Sequence, residues 1–171
     1  MNRRRFIKTG LIGGAVLAAG GAWVVWRDVR DADASSPPRD RIVETLTAVA
    51  PVLLAGALPA DAAQRSAALA SVTAGVKEVV AAFPPAVRAE VNDLFRLLDI
   101  RIARQLLTGV AAPWRDADPA AVHAFLERWR WSRIALLQSG YFALHDLVLG
   151  AWYANESAWG MLGYAGPPRV E

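Results

Sequence analysis

Residues 85–107 read PAVRAEVNDLFRLLDIRIARQLL, and that run decides the fold class. Val87, Val91, Leu94, Phe95, Leu98, Ile102 and Leu106 recur at three- and four-residue spacing, the period of one face of an α-helix. Pro84-Pro85 stops one helix and starts the next, because proline is accepted in a first turn, where its missing N–H has no intrahelical partner to lose. Gly109 follows as a natural C-terminal cap. The run is predicted as one helix over about 85–107.

The same period extends in both directions. Upstream, a helix is predicted from Asp61, as N-cap, to Phe83, with an alanine-rich apolar face suited to close packing (Ala68, Leu69, Val72, Val76, Val79, Val80). Before it, Ile42, Leu46, Val49, Leu53 and Leu54 predict a helix from about Asp40 to Gly56, which Pro51 should kink or divide. Downstream, a helical stretch opens at Asp118-Pro119, an N-cap followed by proline at the first helical position. Its first half is amphipathic, with Val122, Phe125, Leu126 and Trp129 inward and Glu127, Arg128, Arg130 and Arg133 outward. From Ile134 to Tyr153 it is apolar nearly all round, interrupted only by Gln138, Ser139, His145 and Asp146. Such a helix must be buried, centrally in a bundle or beneath a partner. Strand-like alternation and glycine-turn hairpins are missing. The fold class is therefore all-α, an irregular antiparallel helical bundle.

At 171 residues, 54% hydrophobic and 20% charged, the chain is one globular domain with room for a targeting segment. A net charge of +3 and a pI near 9.8 invite a nucleic-acid reading, which fails once the charges are located. Residues 1–34 hold six basic side chains (Arg3, Arg4, Arg5, Lys8, Arg27, Arg30) against three acidic ones (Asp28, Asp31, Asp33). The remainder holds 13 of each, so the body is neutral and lacks the basic excess that phosphate neutralisation requires. There is no cysteine, which excludes disulfides, thiolate metal ligation, a thiol nucleophile and a lipoprotein anchor.

The N-terminus is the most informative segment. Asn2-Arg3-Arg4-Arg5-Phe6-Ile7-Lys8 has the form of the twin-arginine (Tat) export motif, with Phe6 fixing Arg3 and Arg4 as the pair and Lys8 closing it. Thr9 to Val25 follows as 17 uncharged residues, diluted by glycines at 10, 13, 14, 20 and 21. A stable membrane-spanning helix wants about 20 predominantly apolar residues, and glycine lowers helix propensity. Ala32-Asp33-Ala34 supplies a small-x-small cleavage site that would leave a mature chain starting at Ser35. The alternative is a retained anchor through residues 9–26, with the arginines as positive-inside flanks and Trp23 and Trp26 at the membrane interface. The organisation is thus residues 1–34 as signal or anchor, 35–39 as linker and 40–171 as helical domain. The Tat translocase, contact with the inner membrane and a periplasmic location follow as expectations.

Tat carries proteins already folded, commonly because a cofactor is inserted first or because a partner travels with them. The body has no glycine-rich phosphate loop, no haem-attachment motif and no metal-ligand spacing, so no cofactor is expected in this chain and a passenger partner is the simpler reason for the route. His123 and His145 are 22 residues apart, and Asp146, directly after His145, is expected to point away from it. There is no G-x-S-x-G elbow, and no catalytic residue is assigned. Arg128, Arg130 and Arg133 are most simply a solvated face, but with Trp129 and Trp131 interleaved, Trp129, Arg130 and Arg133 are candidate partner contacts, since tryptophan and arginine dominate binding hot spots. So are Trp152, Tyr153, Trp159 and Tyr164 in the aromatic-dense C-terminus, with packing back onto the bundle as the alternative.

The leader, the all-helical body and the ending Ala151-Trp152-Tyr153-Ala154-Asn155, Ala158-Trp159 and Leu162-Gly163-Tyr164-Ala165-Gly166-Pro167-Pro168 resemble the small (gamma, or subunit 3) subunit of gluconate 2-dehydrogenase and related FAD-dependent sugar dehydrogenases. Phe125-Leu126-Glu127-Arg128-Trp129-Arg130 and Leu136-Leu137-Gln138-Ser139-Gly140-Tyr141 add to the likeness, which covers the leader and roughly the last 50 residues; the middle is similar only in helical pattern. The resemblance implies a glucose-methanol-choline type flavoprotein as partner, carrying FAD and the chemistry, in some complexes with a c-type cytochrome subunit. This chain would be its non-catalytic escort through the Tat route. The competing expectation is a stand-alone periplasmic or membrane-anchored helical structural or binding protein.

Overall fold

The computed structural model describes residues 40–155, and the elements are numbered within that span. They are α1 (Arg41–Leu53), α2 (Ala62–Ala82), α3 (Pro85–Asp99), α4 (Arg101–Thr108), a 3-10 turn (Trp114–Asp116), α5 (Pro119–Arg130) and α6 (Ala135–Tyr153). No strand occurs among the described residues, so the fold is all-α.

Short polar side chains set the helix starts. Asp61 accepts a hydrogen bond from the Gln64 amide at 2.9 Å, and Asp118 from the Ala120 amide at 3.1 Å ahead of Pro119. Each satisfies a donor that the first turn leaves without a carbonyl. Asp40 caps α1 through the Val43 amide and also meets Lys77 of α2 at 2.6 Å. Pro51 does not divide α1. It falls in the last turn, and the helix runs through it to Leu53, after which Gly56 turns the chain at φ +86°.

Two predicted helices are each broken. The run over 85–107 divides at Ile100, whose extended backbone (ψ 117°) separates α3 from α4. The carbonyls exposed by the break find side-chain donors: Trp114 Nε1 donates to Leu98 O at 3.0 Å and Arg104 Nη1 to Asp99 O at 3.1 Å. Arg104 is 5% exposed, its guanidinium 5.7 Å from the centre of the Trp114 ring. Burial pulls its pKa down, Asp99 opposes that and Arg101 adds to it. The change of helix direction turns Leu106 outward, 74% exposed instead of on the inner stripe. Gly109 ends α4 as expected, at φ +71°. The stretch after Asp118 breaks at 131–134, where Ser132 Oγ accepts from the Ile134 amide and Gln138 Nε2 donates across the gap to Arg130 O.

α1 occupies the centre. It packs against α2, α3, the 3-10 turn, α5 and α6, and buries Thr45, Leu46, Val49 and Ala50. α2 crosses α6 closely, and an added Cβ on Gly75 would lie 3.2 Å from Ala151 Cβ. Val72, Val76 and Val80 face this core, together with Phe95 and Leu98 of α3, Val122 and Phe125 of α5, and Leu144 and Val148 of α6.

Candidate docking surface

Among the sequence-nominated residues, Trp129 and Trp152 require correction: both are core. Trp129 is 1% exposed, stands edge-on to Phe125 at 5.5 Å and donates from Nε1 to Leu107 O at 3.0 Å. Its ring fills the space beside Gly140, where a Cβ would come within 2.6 Å. Arg128 donates to Thr108 O and its guanidinium covers Gly109. These neighbours in the sequence therefore close the C-terminal end of α4, whose last carbonyls have no helical donor. Trp152 is 3% exposed and its Nε1 is buried without a hydrogen-bond partner.

Arg130, Arg133 and Tyr153 stay on the surface. Arg130 reaches Glu127 at 3.5 Å and lies 5.2 Å from the centre of the Trp131 ring. The residues assigned from sequence to an export signal (Arg3, Arg4, Phe6 and Lys8) and to cleavage (Ala32 and Ala34), and the interface candidates Trp159 and Tyr164, lie outside the described residues.

The helix expected to be buried all round is buried on one side only. α6 turns Gly140, Tyr141, Leu144, Leu147, Val148, Ala151 and Trp152 inward. Its outer face carries Ala135, Phe142 (48% exposed) and Tyr153 (51%), with Leu149 half-buried and the polar Ser139 and Asp146 exposed between them. One edge of that face continues into a groove of about 290 Å³, formed by Ala143, Asp146, Leu147, Gly150 and Ala151 of α6. The opposite wall is Val79 at the end of α2, Phe83 in the connection, and Val87 and Val91 of α3. Small residues on α6 leave the groove open, and its lining is apolar apart from Asp146. Such a shape accepts an apolar side chain or the ridge of a helix.

A second hollow of about 510 Å³ lies where α2 begins and α6 ends, lined by Pro59, Gln64, Ala67, Ala68, Ser71, Trp152 and Asn155. Asn155 Nδ2 donates to Ser71 Oγ there at 2.6 Å.

The histidines remain apart from any cluster. His123 is exposed on α5, and no three of His, Asp and Glu come together among the described residues in a way that could hold a metal. Asp146 does not point away from His145. The His145 Nδ1 and Asp146 Oδ1 atoms lie 2.9 Å apart, because both side chains lean along the helix surface, and the imidazole also faces the Tyr141 ring at 5.5 Å. No described helix is long and apolar enough to cross a membrane.

The groove was not anticipated from the sequence, whose period put Val79 and Val87 on the inward apolar stripes. Val79 and Val87, 42% and 41% exposed, are apolar residues surplus to the buried stripes of α2 and α3. No protein-family model, no curated protein and no solved structure matches the chain.

Proposed function

We propose that this chain is a non-catalytic accessory subunit that carries a Tat export signal and escorts a partner flavoprotein dehydrogenase of the glucose-methanol-choline type to the periplasm. The partner holds the FAD and performs the chemistry, and a c-type cytochrome can complete the complex. One observation carries the binding half of this reading: the outer face of α6 and its groove leave Phe142, Tyr153, Val79 and Val87 exposed on a domain whose core is already filled. Exposed apolar side chains gathered in this way, with Asp146 among them, mark a candidate interaction surface. The export half rests on Arg3, Arg4, Phe6 and Lys8. The nature of the partner rests on the resemblance of the leader and C-terminal segment.

The test is affinity purification of C-terminally tagged protein from periplasm and membranes, beside cells carrying Arg3→Lys/Arg4→Lys. A flavoprotein that co-purifies, and vanishes from the periplasm in the double variant, is the expected result. Protein that emerges alone, with no periplasmic flavoprotein depending on the arginines, overturns the reading.

A further inference from the structure

The corner where α5 turns into α6 carries a feature that the groove does not explain. Trp131, Ile134 and Leu136 are 71%, 60% and 77% exposed, three large apolar side chains within six residues. They stand at the turn between the two helices, Trp131 as the C-cap of α5 and Ile134 as the N-cap of α6. In the chain, the stretch between Glu127 and Asp146 is basic, although Arg128 is held at the end of α4 by the Thr108 carbonyl. Residues 128–145 contain Arg128, Arg130 and Arg133 and no aspartate or glutamate. Glu127, just before this stretch, is engaged by Arg130 and by Trp131 Nε1. Arg133 is exposed and has no ion-pair partner among the described residues.

A protein hot spot seats its aromatic anchor in a pocket rimmed by polar groups. Here three apolar side chains are mostly exposed, and Arg130 and Arg133 are their neighbours in the chain. Exposed apolar side chains next to arginines match a surface that is negative outside and apolar a few ångströms below, and tryptophan suits such a boundary because its ring is apolar while its N–H is polar. We propose that the α5–α6 corner docks onto an anionic phospholipid bilayer, with Trp131, Ile134 and Leu136 entering the boundary between headgroups and acyl chains. Arg130 and Arg133 meet the lipid phosphates. Attachment depends on the lipid charge and weakens with salt, because the attraction acts within a Debye length of the surface.

The cysteine-free chain allows a site-specific test on the full-length protein. Ile134→Cys is labelled with an environment-sensitive fluorophore, and Ala120→Cys, exposed ten residues before Arg130 on α5 and so about 15 Å along the helix, serves as the control. The hydrophobic run at 9–25 is present in both, so label position rather than total vesicle binding is read. On phosphatidylcholine vesicles containing phosphatidylglycerol, the label at 134 should shift to the blue and be quenched by a lipid-borne quencher. The label at 120 should stay in water. Pure phosphatidylcholine, high salt, or Arg130→Gln/Arg133→Gln should each reduce the response several-fold, and circular dichroism checks that the variants fold. A label at 134 that stays in water on vesicle-bound protein overturns the proposal. So does a shift that tracks protein concentration without lipid, or one that appears only when a co-purified flavoprotein is added.

Discussion

Two buried tryptophans of similar exposure differ in what their ring nitrogens do. Trp129 Nε1 holds the Leu107 carbonyl, whereas Trp152 Nε1 is buried with no acceptor. Replacing either by alanine removes a large core side chain and should cost about 3–5 kcal/mol. Phenylalanine separates them. Trp129→Phe strands a carbonyl at the end of α4, and Trp152→Phe removes a donor that already lacks its bond. Trp129→Phe should therefore be the more destabilising by about 1 kcal/mol. Urea unfolding of both variants measures the difference, and equal midpoints would mean that the Leu107 bond adds nothing. Trp129 is closed off in the core, and Trp152 is 3% exposed at the edge of the hollow between α2 and α6, so residue type alone was a poor guide to which aromatics a partner could reach.

At the scale of elements, α1 is tied down at its first residue. The Asp40 carboxylate caps the helix and pairs with Lys77 of α2, so it joins two helices at once. Partial burial pushes its pKa up, but the Lys77 hydrogen bond and charge and the amides of Val43 and Ile42 outweigh that and hold it below its ordinary value. A carboxyl depressed in the folded state stabilises above its unfolded pKa, and that contribution is lost as pH falls through the folded value. Asp40→Ala should cost about 1 kcal/mol near neutral pH, given the exposure of the pair. The gap between wild type and variant should shrink as pH falls below the carboxylate range. Stability curves at several pH values test this, and a gap that stays constant into acid would remove the charge from the account. Asp61, Asp118 and Gly109 were readable as boundaries because capping is local: the side chain or the left-handed residue acts on its own turn. The breaks at Ile100 and at 131–134 were not. The first depends on Trp114 and Arg104 reaching back from later in the chain to take the Leu98 and Asp99 carbonyls. The second depends on Gln138 bridging to Arg130. Apolar spacing continues across both, so periodicity alone reads them as unbroken helix.

At the scale of the molecule, the central position went to α1 rather than to the most apolar helix. Apolar content shows that α6 has more hydrophobic surface than one contact can bury, but not where the surplus goes, and the fold leaves it facing outward. The groove needs three elements, α2, α3 and α6, brought together by the fold, so no single stretch of sequence could show it. The groove wall and the neighbouring outer face of α6 also allow folding and docking to be separated. Val79, Val87 and Phe142 are 42%, 41% and 48% exposed, so charged substitutions there remove little from the core. Val79→Lys, Val87→Lys and Phe142→Glu, made singly, should each change unfolding free energy by no more than about 0.5 kcal/mol. If the proposed flavoprotein partner docks there, each should also sharply reduce its co-purification, because a charge facing a desolvated apolar partner has nothing to replace its water. If all three variants retain the partner at wild-type levels while melting normally, the escort must use another surface. If they lose it only in proportion to lost stability, these side chains belong to the fold and not to an interface.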